Sequence, residues 1–254
     1  MASFDEWSDE AEAEVNGHRL RLVTLRDGHG AVAQEKAVEI LPDHYAAPEH
    51  VAHVFERLGK EAAAEYLRQK LPATPSLRSG DLGEIYATEY IEERTDFSAP
   101  VKRLRWRDHR EMAMRGDDVI GLRPAAEGRP INFLKVEAKS EAALQTRTVT
   151  KARGALDGDG GLPSQHALTF IADRLREMGE EELSDAILKA QLVDGITAAH
   201  VQHLLFTFSG NDPNNFLRAD LIGCGDGIPQ NGVGLRIADH QNFIRRVFEE
   251  VFGE

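Results

Sequence analysis

Three short stretches of strand-like sequence lie in the middle of the chain, with helical patterns on either side. They are Val101–Arg107, Asp117–Leu122 and Ile131–Lys139, and each is bounded by glycine, proline or charged residues that are typical of turns. Strands that alternate with helices favour an α/β fold, because each sheet face must be covered by another layer. We therefore expect a single α/β domain with helices at its periphery, which spans residues 18–254.

The regions around these strands carry simpler patterns. Apolar residues recur at helical spacing in four segments, which are residues 48–70, 79–92, 142–156 and 239–252. Residues 210–234 are rich in Gly, Asn, Asp and Pro, and this composition predicts long loops. Six of the ten residues from 5 to 14 are acidic, so we predict a solvated N-terminal arm over residues 1–17.

Composition excludes several classes of protein. No apolar run approaches the roughly 20 residues that a membrane span needs, and the acidic N-terminal sequence does not resemble a secretory signal. The single cysteine, Cys224, excludes an internal disulfide and a multi-cysteine zinc site, so we expect a cytoplasmic protein. A glycine turn at Gly28 and Gly30 follows the pattern of a dinucleotide-binding loop only loosely, and we interpret it as an ordinary turn.

Charge is distributed unevenly along the sequence. The whole chain carries a net charge of −13, yet residues 101–153 contain 13 Lys and Arg against 7 Asp and Glu. An acidic protein is repelled by DNA at long range, whereas a local basic segment can contact phosphates. The pattern therefore indicates that any nucleic-acid chemistry belongs to this segment. Our hypothesis is that a partner delivers the DNA or that the free enzyme is kept weak.

The residues best suited to catalysis lie in two of the predicted strands. Asp118 is the second residue of the predicted strand Asp117–Leu122. Glu137 and Lys139 lie at the end of the predicted strand Ile131–Lys139, 19 and 21 residues after Asp118. Side chains alternate along a strand, so Glu137 and Lys139 project from one face about 6.7 Å apart. If the two strands pair, Asp118 joins them; Asp117 is the alternative if the register differs by one residue.

Two carboxylates and an ammonium group in this arrangement suit metal-assisted hydrolysis of a phosphodiester. Asp118 and Glu137 offer the oxygen ligands that Mg²⁺ prefers, with Mn²⁺ as a possible substitute. Lys139 would position a water molecule or help to deprotonate it, and would offset developing negative charge. A surface ion pair between Glu137 and a neighbouring lysine is the plainer interpretation of the same residues.

Longer motifs around these residues resemble a known family. The motifs are SGDLGEIYATEYIE (79–92), KRLRWRDHREMAMRGDDVIG (102–121), FLKVEAKS (133–140) and PSQHALTFI (163–171). The pattern of an acid followed by Glu-x-Lys resembles the PD-(D/E)xK nuclease superfamily, although the proline of that motif is absent. This resemblance implies an α/β fold with a small mixed central sheet flanked by helices. More narrowly, the motifs resemble the HamA nuclease subunits of Hachiman anti-phage defence systems, with a catalytic core over about 79–171.

That resemblance implies a Mg²⁺-dependent DNA endonuclease that works with a HamB-like helicase. Asp118, Glu137 and Lys139 match its catalytic positions, and Glu84 matches an additional acid that joins Asp118 and Glu137 at the metal site. A solvated glutamate on a helix is the alternative for Glu84. The alternative for the whole chain is a non-catalytic subunit of nuclease fold, which binds and restrains a helicase.

A run of basic residues precedes the candidate catalytic aspartate. On the predicted strand Val101–Arg107, alternate arginines would share one face, and we interpret this face as a contact for DNA phosphates. The alternative is that these basic residues form salt bridges with acidic residues of the rest of the protein. The predicted DNA-binding residues are Arg103, Arg105, Arg107, Arg115 and Lys151.

Overall fold

In the computed structural model, which describes residues 1–112, 114, 116–124 and 130–252, strands and helices alternate along much of the chain. The strands are β1 (Ser8–Val15), β2 (His18–Leu25), β3 (Val119–Arg123), β4 (Asn132–Glu141), β5 (Val201–Ser209) and β6 (Gln230–Arg236). The helices are α1 (Phe4–Trp7), α2 (Gly30–Tyr45), α3 (Pro48–Leu58), α4 (Lys60–Lys70), α5 (Pro75–Arg94), α6 (Thr146–Leu156), α7 (Gln165–Glu177), α8 (Glu181–Lys189), α9 (Asn214–Ile222) and α10 (His240–Phe252).

The strands described form one six-stranded mixed sheet in the order β1-β2-β6-β5-β4-β3. The four inner strands β2, β6, β5 and β4 run parallel, and β1 and β3 are antiparallel edges. Parallel strands need crossover connections, which explains the helices between them. The predicted mixed α/β architecture, with a central sheet flanked by helices, is confirmed.

Helices cover both faces of the sheet. On one face, α5 packs against β4, and Leu134 and Val136 of this strand belong to the same core as residues of α2 and α10. On the other face, α7 and α8 cover Phe133 and the β3 residues, while α6 and α9 cover the β2 and β5 side. None of the helices within the described ranges is long and apolar enough to cross a membrane.

The N-terminal segment is part of the sheet, so the predicted solvated arm is wrong. Phe4 and Trp7 are fully buried, and β1 pairs with β2 along its whole length. The acidic side chains of β1 are largely exposed at the sheet edge. Charged residues on an edge strand discourage pairing with another chain, so their abundance is compatible with a strand.

Two other predictions of secondary structure are also wrong. Val101–Arg107 is not a strand: residues Arg103–Trp106 form a 3₁₀ turn. Pairing of Arg105 with Asp43 on α2, and of Arg107 just after the turn with Asp81 on α5, holds the segment in this form. The predicted loop at 210–234 contains α9 and β6. Gly232 and Gly234 lie in β6, where a Cβ atom would meet Leu221 or clash with Pro213, so these glycines let α9 pack against the strand.

The predicted helix at 48–70 is interrupted. Gly59 adopts a left-handed φ of +91° between α3 and α4, which only glycine takes up readily. The helices predicted at 79–92, 142–156 and 239–252 are confirmed as α5, α6 and α10, with shifted boundaries.

Candidate active site

The two predicted catalytic strands are neighbours. In the β3–β4 pair, Val119 lies opposite Val136 and both side chains enter the core beneath α5. The preceding residue, Asp118, therefore lies beside Glu137 on the other face of the sheet. Its Oδ2 accepts a hydrogen bond of 2.9 Å from the backbone N–H of Ala138. This bond fixes the aspartate against β4.

Lys139 completes the group. Its Nζ donates a short hydrogen bond to Oε1 of Glu137 and lies 3.7 Å from Oδ2 of Asp118. The three side chains are 13–25% exposed, so they remain accessible from solvent. The sequence prediction that Asp118, Glu137 and Lys139 lie together is confirmed as geometry, and their catalytic role stays a prediction.

Asp117 has a different environment from Asp118. Its Oδ2 accepts a 2.8 Å hydrogen bond from the backbone N–H of Ser164, just before α7, and its Oδ1 lies 3.6 Å from Nζ of Lys135. Lys135 is 2% exposed and also donates to the carbonyl of Gly158 at 2.8 Å. Asp117 thus joins the sheet to α7, whereas Asp118 is the aspartate beside Glu137 and Lys139.

Glu84 lies on α5 directly after Gly83, the residue at which this helix approaches β4. Gly83 allows this approach, because a Cβ atom there would lie 3.1 Å from Cβ of Ser140. Burial, and secondly repulsion by Asp118, raise the pKa of Glu84 to about 8, while Arg103 opposes the shift. Glu84 therefore shares the electrostatic environment of the site.

Burial and neighbouring charges shift the pKa values of Glu137 and Lys139. Burial, followed by repulsion from Asp118, raises the pKa of Glu137 to about 7. Burial alone would lower the pKa of Lys139, but the carboxylates of Asp118 and Glu137 outweigh that effect and hold its pKa above the ordinary value. An added cation would relieve the repulsion between the carboxylates.

The donor set fits a magnesium ion held by two carboxylates. No three His, Cys, Asp or Glu side chains of the described residues are arranged to hold a metal together. Mg²⁺ typically takes only one or two protein carboxylates and completes its shell with water and phosphate oxygens. Asp118 and Glu137 suffice for that role, while Glu84 does not complete a three-ligand cluster in this structure.

The predicted DNA-binding arginines do not form a common face, and this prediction is wrong because the segment is not a strand. Arg105 pairs with Asp43 at 2.7 Å, and Arg107 makes a buried pair with Asp81. Arg103 donates short hydrogen bonds to the carbonyls of Asp117 and Asp118.

The other two predicted DNA-binding residues have separate outcomes. Lys151 is exposed on α6, and its contact with DNA stays a prediction. Arg115 lies outside the described residues.

Two supports of the site could not be inferred from the sequence. Arg103 binds the backbone carbonyl of Asp118, a contact that no strand prediction could reveal. Ser140, next to Lys139, is bonded at 2.9 Å to both Ser79 on α5 and Nε2 of His240 on α10. His240 is 100 residues away in the sequence, so no local pattern connects it with Lys139.

Comparison with known proteins identifies the family of the chain. The chain is 26% identical over 199 residues to the Hachiman protein HamA of Bacillus cereus, and the alignment covers 76% of this chain and 69% of that protein. The HamA family profile matches residues 1–251, which include every strand and all the candidate site residues. The chain therefore belongs to the HamA family.

Proposed function

We propose that this protein is a metal-dependent DNA nuclease of the PD-(D/E)xK type that acts in anti-phage defence. The convergence of Asp118, Glu137 and Lys139 at the β3–β4 pair is the observation that carries the proposal. Membership of the HamA family and a relative named as a Hachiman protein support the defence role.

Asp118 and Glu137 are the residues that would hold the metal, with Glu84 beside them. A bound Mg²⁺ would polarise a phosphoryl oxygen and lower the pKa of a water molecule. Lys139 keeps its proton, because its pKa is raised, so its ammonium group would stabilise negative charge on the phosphate and orient the attacking water. Hydrolysis then joins the water oxygen to phosphorus and releases one ester oxygen, which takes up a proton.

Cleavage of plasmid DNA by the purified chain tests this function. We expect cutting with Mg²⁺ or Mn²⁺, none with a chelator, and a loss of at least about 100-fold in Lys139→Ala. Lys189→Ala is the matched control, because Lys189 is 66% exposed on α8 and pairs with Asp194, which is not one of the candidate site residues. Equal cutting by wild type and Lys139→Ala would refute the proposed site.

We also propose that a helicase partner of the HamB type delivers the DNA. The net charge of −13 opposes long-range attraction of DNA, so a partner that holds the strand would raise the local concentration of substrate. The rate of cleavage should therefore rise when the partner is added. Equal rates would contradict delivery. Absence of cleavage both with and without the partner would favour a non-catalytic subunit that restrains the helicase.

A further inference from the structure

Three neighbouring cavities surround the segment 103–110, and aromatic side chains form their shared walls. The first, of about 470 Å³, is lined by Trp106 and Phe170. The second, of about 440 Å³, is lined by Trp106, His50 and Tyr66. The third, of about 210 Å³, is lined by Tyr66 and Lys70. We call the four rings of Phe170, Trp106, His50 and Tyr66 the aromatic track.

The rings of the track occur in two pairs. Phe170 and Trp106 meet edge to face, with centroids 6.3 Å apart and planes at 87°. His50 and Tyr66 are stacked, with centroids 5.4 Å apart and planes at 8°. All four side chains reach cavities that open to solvent, so their rings are not fully enclosed by the core. The Arg174 guanidinium lies over the first pair, 5.8 Å from the Trp106 centroid and 5.6 Å from the Phe170 centroid. Partly exposed rings accompanied by cations are suitable surfaces for stacking nucleobases.

The track begins at the candidate active site. Arg103 lines the first cavity and also donates a 2.6 Å hydrogen bond to the carbonyl of Asp118. Arg107 lines the first and third cavities and pairs with Asp81, which lies one helical turn before Glu84 on α5. Arg103 therefore connects the backbone of Asp118 with the cavity that Trp106 lines.

Cationic groups accompany the rings. Nζ of Lys70 lies 5.7 Å from the centroid of Tyr66 and has no acidic partner among the described residues. The Arg110 guanidinium lines the third cavity and is 43% exposed. Aromatic rings interleaved with Lys and Arg characterise surfaces that follow a single strand, with the cations at phosphates and the rings at bases.

We infer that the aromatic track binds an unpaired segment of a DNA strand, so that the substrate of the candidate site is single-stranded or locally unwound DNA. The inference rests on the proposed nuclease function and adds the substrate class. Bases within a duplex are stacked on one another and cannot enter the cavities, whereas unpaired bases can.

Binding can be measured separately from cutting, because the chain has two tryptophans and only one lies in the track. Trp7 is fully buried, so quenching of tryptophan fluorescence by added DNA would report on Trp106. The Lys139→Ala protein is titrated in chelator with a 20-nucleotide thymidine strand and with a blunt duplex of equal length. We expect quenching by the single strand and at least about tenfold weaker binding of the duplex.

Labelled strands then test the track itself by fluorescence anisotropy. Trp106→Ala and Phe170→Ala should each weaken single-strand binding by about tenfold, and Trp106→Phe should retain most of it because a ring is kept. Ile222→Ala is the control, since this exposed side chain lies on α9, away from the track.

Equal affinity for strand and duplex, unchanged binding by both alanine variants, or tighter binding of an RNA strand of the same length would each overturn the inference. These results would leave the proposed nuclease intact if wild type still cuts and Lys139→Ala does not. Conversely, tight single-strand binding without cleavage under any metal would refute the nuclease and retain the binding track.

Discussion

The carboxylate of Asp118 accepts a hydrogen bond from the backbone N–H of Ala138, the residue that separates Glu137 from Lys139. The aspartate is therefore fixed to the neighbouring strand independently of its charge. The amide oxygen of an asparagine can accept the same bond, so substitution there separates the role of the charge from the role of the fold.

Asp118→Asn should abolish cutting while preserving stability. The variant keeps the hydrogen bond to Ala138 but removes one of the two proposed metal ligands, so we expect the cleavage rate to fall by about 100- to 1000-fold. Plasmid cleavage at saturating Mg²⁺ measures the rate, and thermal unfolding followed by circular dichroism checks the fold. A variant that cuts at the wild-type rate would exclude Asp118 as a ligand.

Asp117→Asn should lower stability while preserving cutting. It removes the charge that faces the buried Lys135, and an unpaired buried ammonium is costly, so we expect a loss of about 3 kcal/mol in the free energy of unfolding. Urea denaturation measures this loss. The cleavage rate of the folded fraction should remain within a few-fold of wild type, and a larger loss of stability in Asp118→Asn than in Asp117→Asn would contradict the assignment.

The raised pKa values of Glu137 and Glu84 predict a pH dependence of stability. Between the ordinary value of 4.5 and their folded values of about 7 and 8, both groups are protonated in the folded chain and ionised in the unfolded chain. The free energy of unfolding therefore falls as pH rises through this window, and no further contribution is lost above it. Thermal unfolding in chelator from pH 5 to 9 should show a steeper decline for wild type than for Glu137→Gln.

Divalent metal should reverse this trend. Mg²⁺ binds the ionised carboxylates, so its stabilising effect should be larger at pH 8 than at pH 5.5. The same melting experiment with added Mg²⁺ measures the effect. An equal shift in melting temperature at both pH values, or an equal shift in an Asp118→Asn protein, would show that the metal binds elsewhere.

Arg107 and Lys151 should behave differently although both were predicted to bind DNA. Arg107 and Asp81 are 5% and 3% exposed, and the hydroxyl of Tyr45 also donates to Asp81 at 2.5 Å. Arg107→Ala leaves the buried carboxylate without its cation and should lower the free energy of unfolding by about 3–5 kcal/mol. Lys151→Ala should change it by no more than about 0.5 kcal/mol.

DNA affinity provides a second measurement for Lys151. Lys151→Ala should weaken binding and reduce its salt dependence, as expected for the loss of one phosphate contact. Wild-type affinity and salt dependence in Lys151→Ala would remove that residue from the DNA contact.

Trp7 should be essential to stability. Its ring is fully buried against Phe4 and Tyr86, and its Nε1–H donates to the carbonyl of Ala2 at 2.8 Å. Trp7→Ala should cost about 3–5 kcal/mol in the free energy of unfolding, measured by urea denaturation. Glu12→Ala on the exposed edge of β1 is the control and should have little effect; a small loss in Trp7→Ala would restore the interpretation of this segment as a solvated arm.

The local sequence pattern was sufficient to predict the sheet segment that carries the site. Alternation along β4 separates Leu134 and Val136 from Glu137 and Lys139, and a short connection brings β3 alongside. The side-chain pattern was therefore sufficient to predict that Asp118, Glu137 and Lys139 lie together.

Elements whose structure depends on distant partners could not be predicted in this way. Arg105 and Arg107 alternate as in a strand, but Arg105 lies in a 3₁₀ turn and Arg107 follows it, where their side chains pair with Asp43 and Asp81. Gly232 and Gly234 resemble loop residues until the packing of α9 on β6 is known. The acids of β1 indicate solvation, and they are indeed solvated, although on the edge of a sheet rather than on a free arm.

The strand order has a consequence for synthesis of the chain on the ribosome. The hairpin of β1 and β2 joins the rest of the sheet only through β6, whose residues are translated more than 200 positions after β2. The nascent hairpin must therefore wait, with Leu20 and Val23 lacking their final neighbours, until β6 has emerged. A ribosome that stalls before Gln230 would hold a chain with β3, β4 and β5 already made but with the hairpin unattached, a state vulnerable to proteases and chaperone capture.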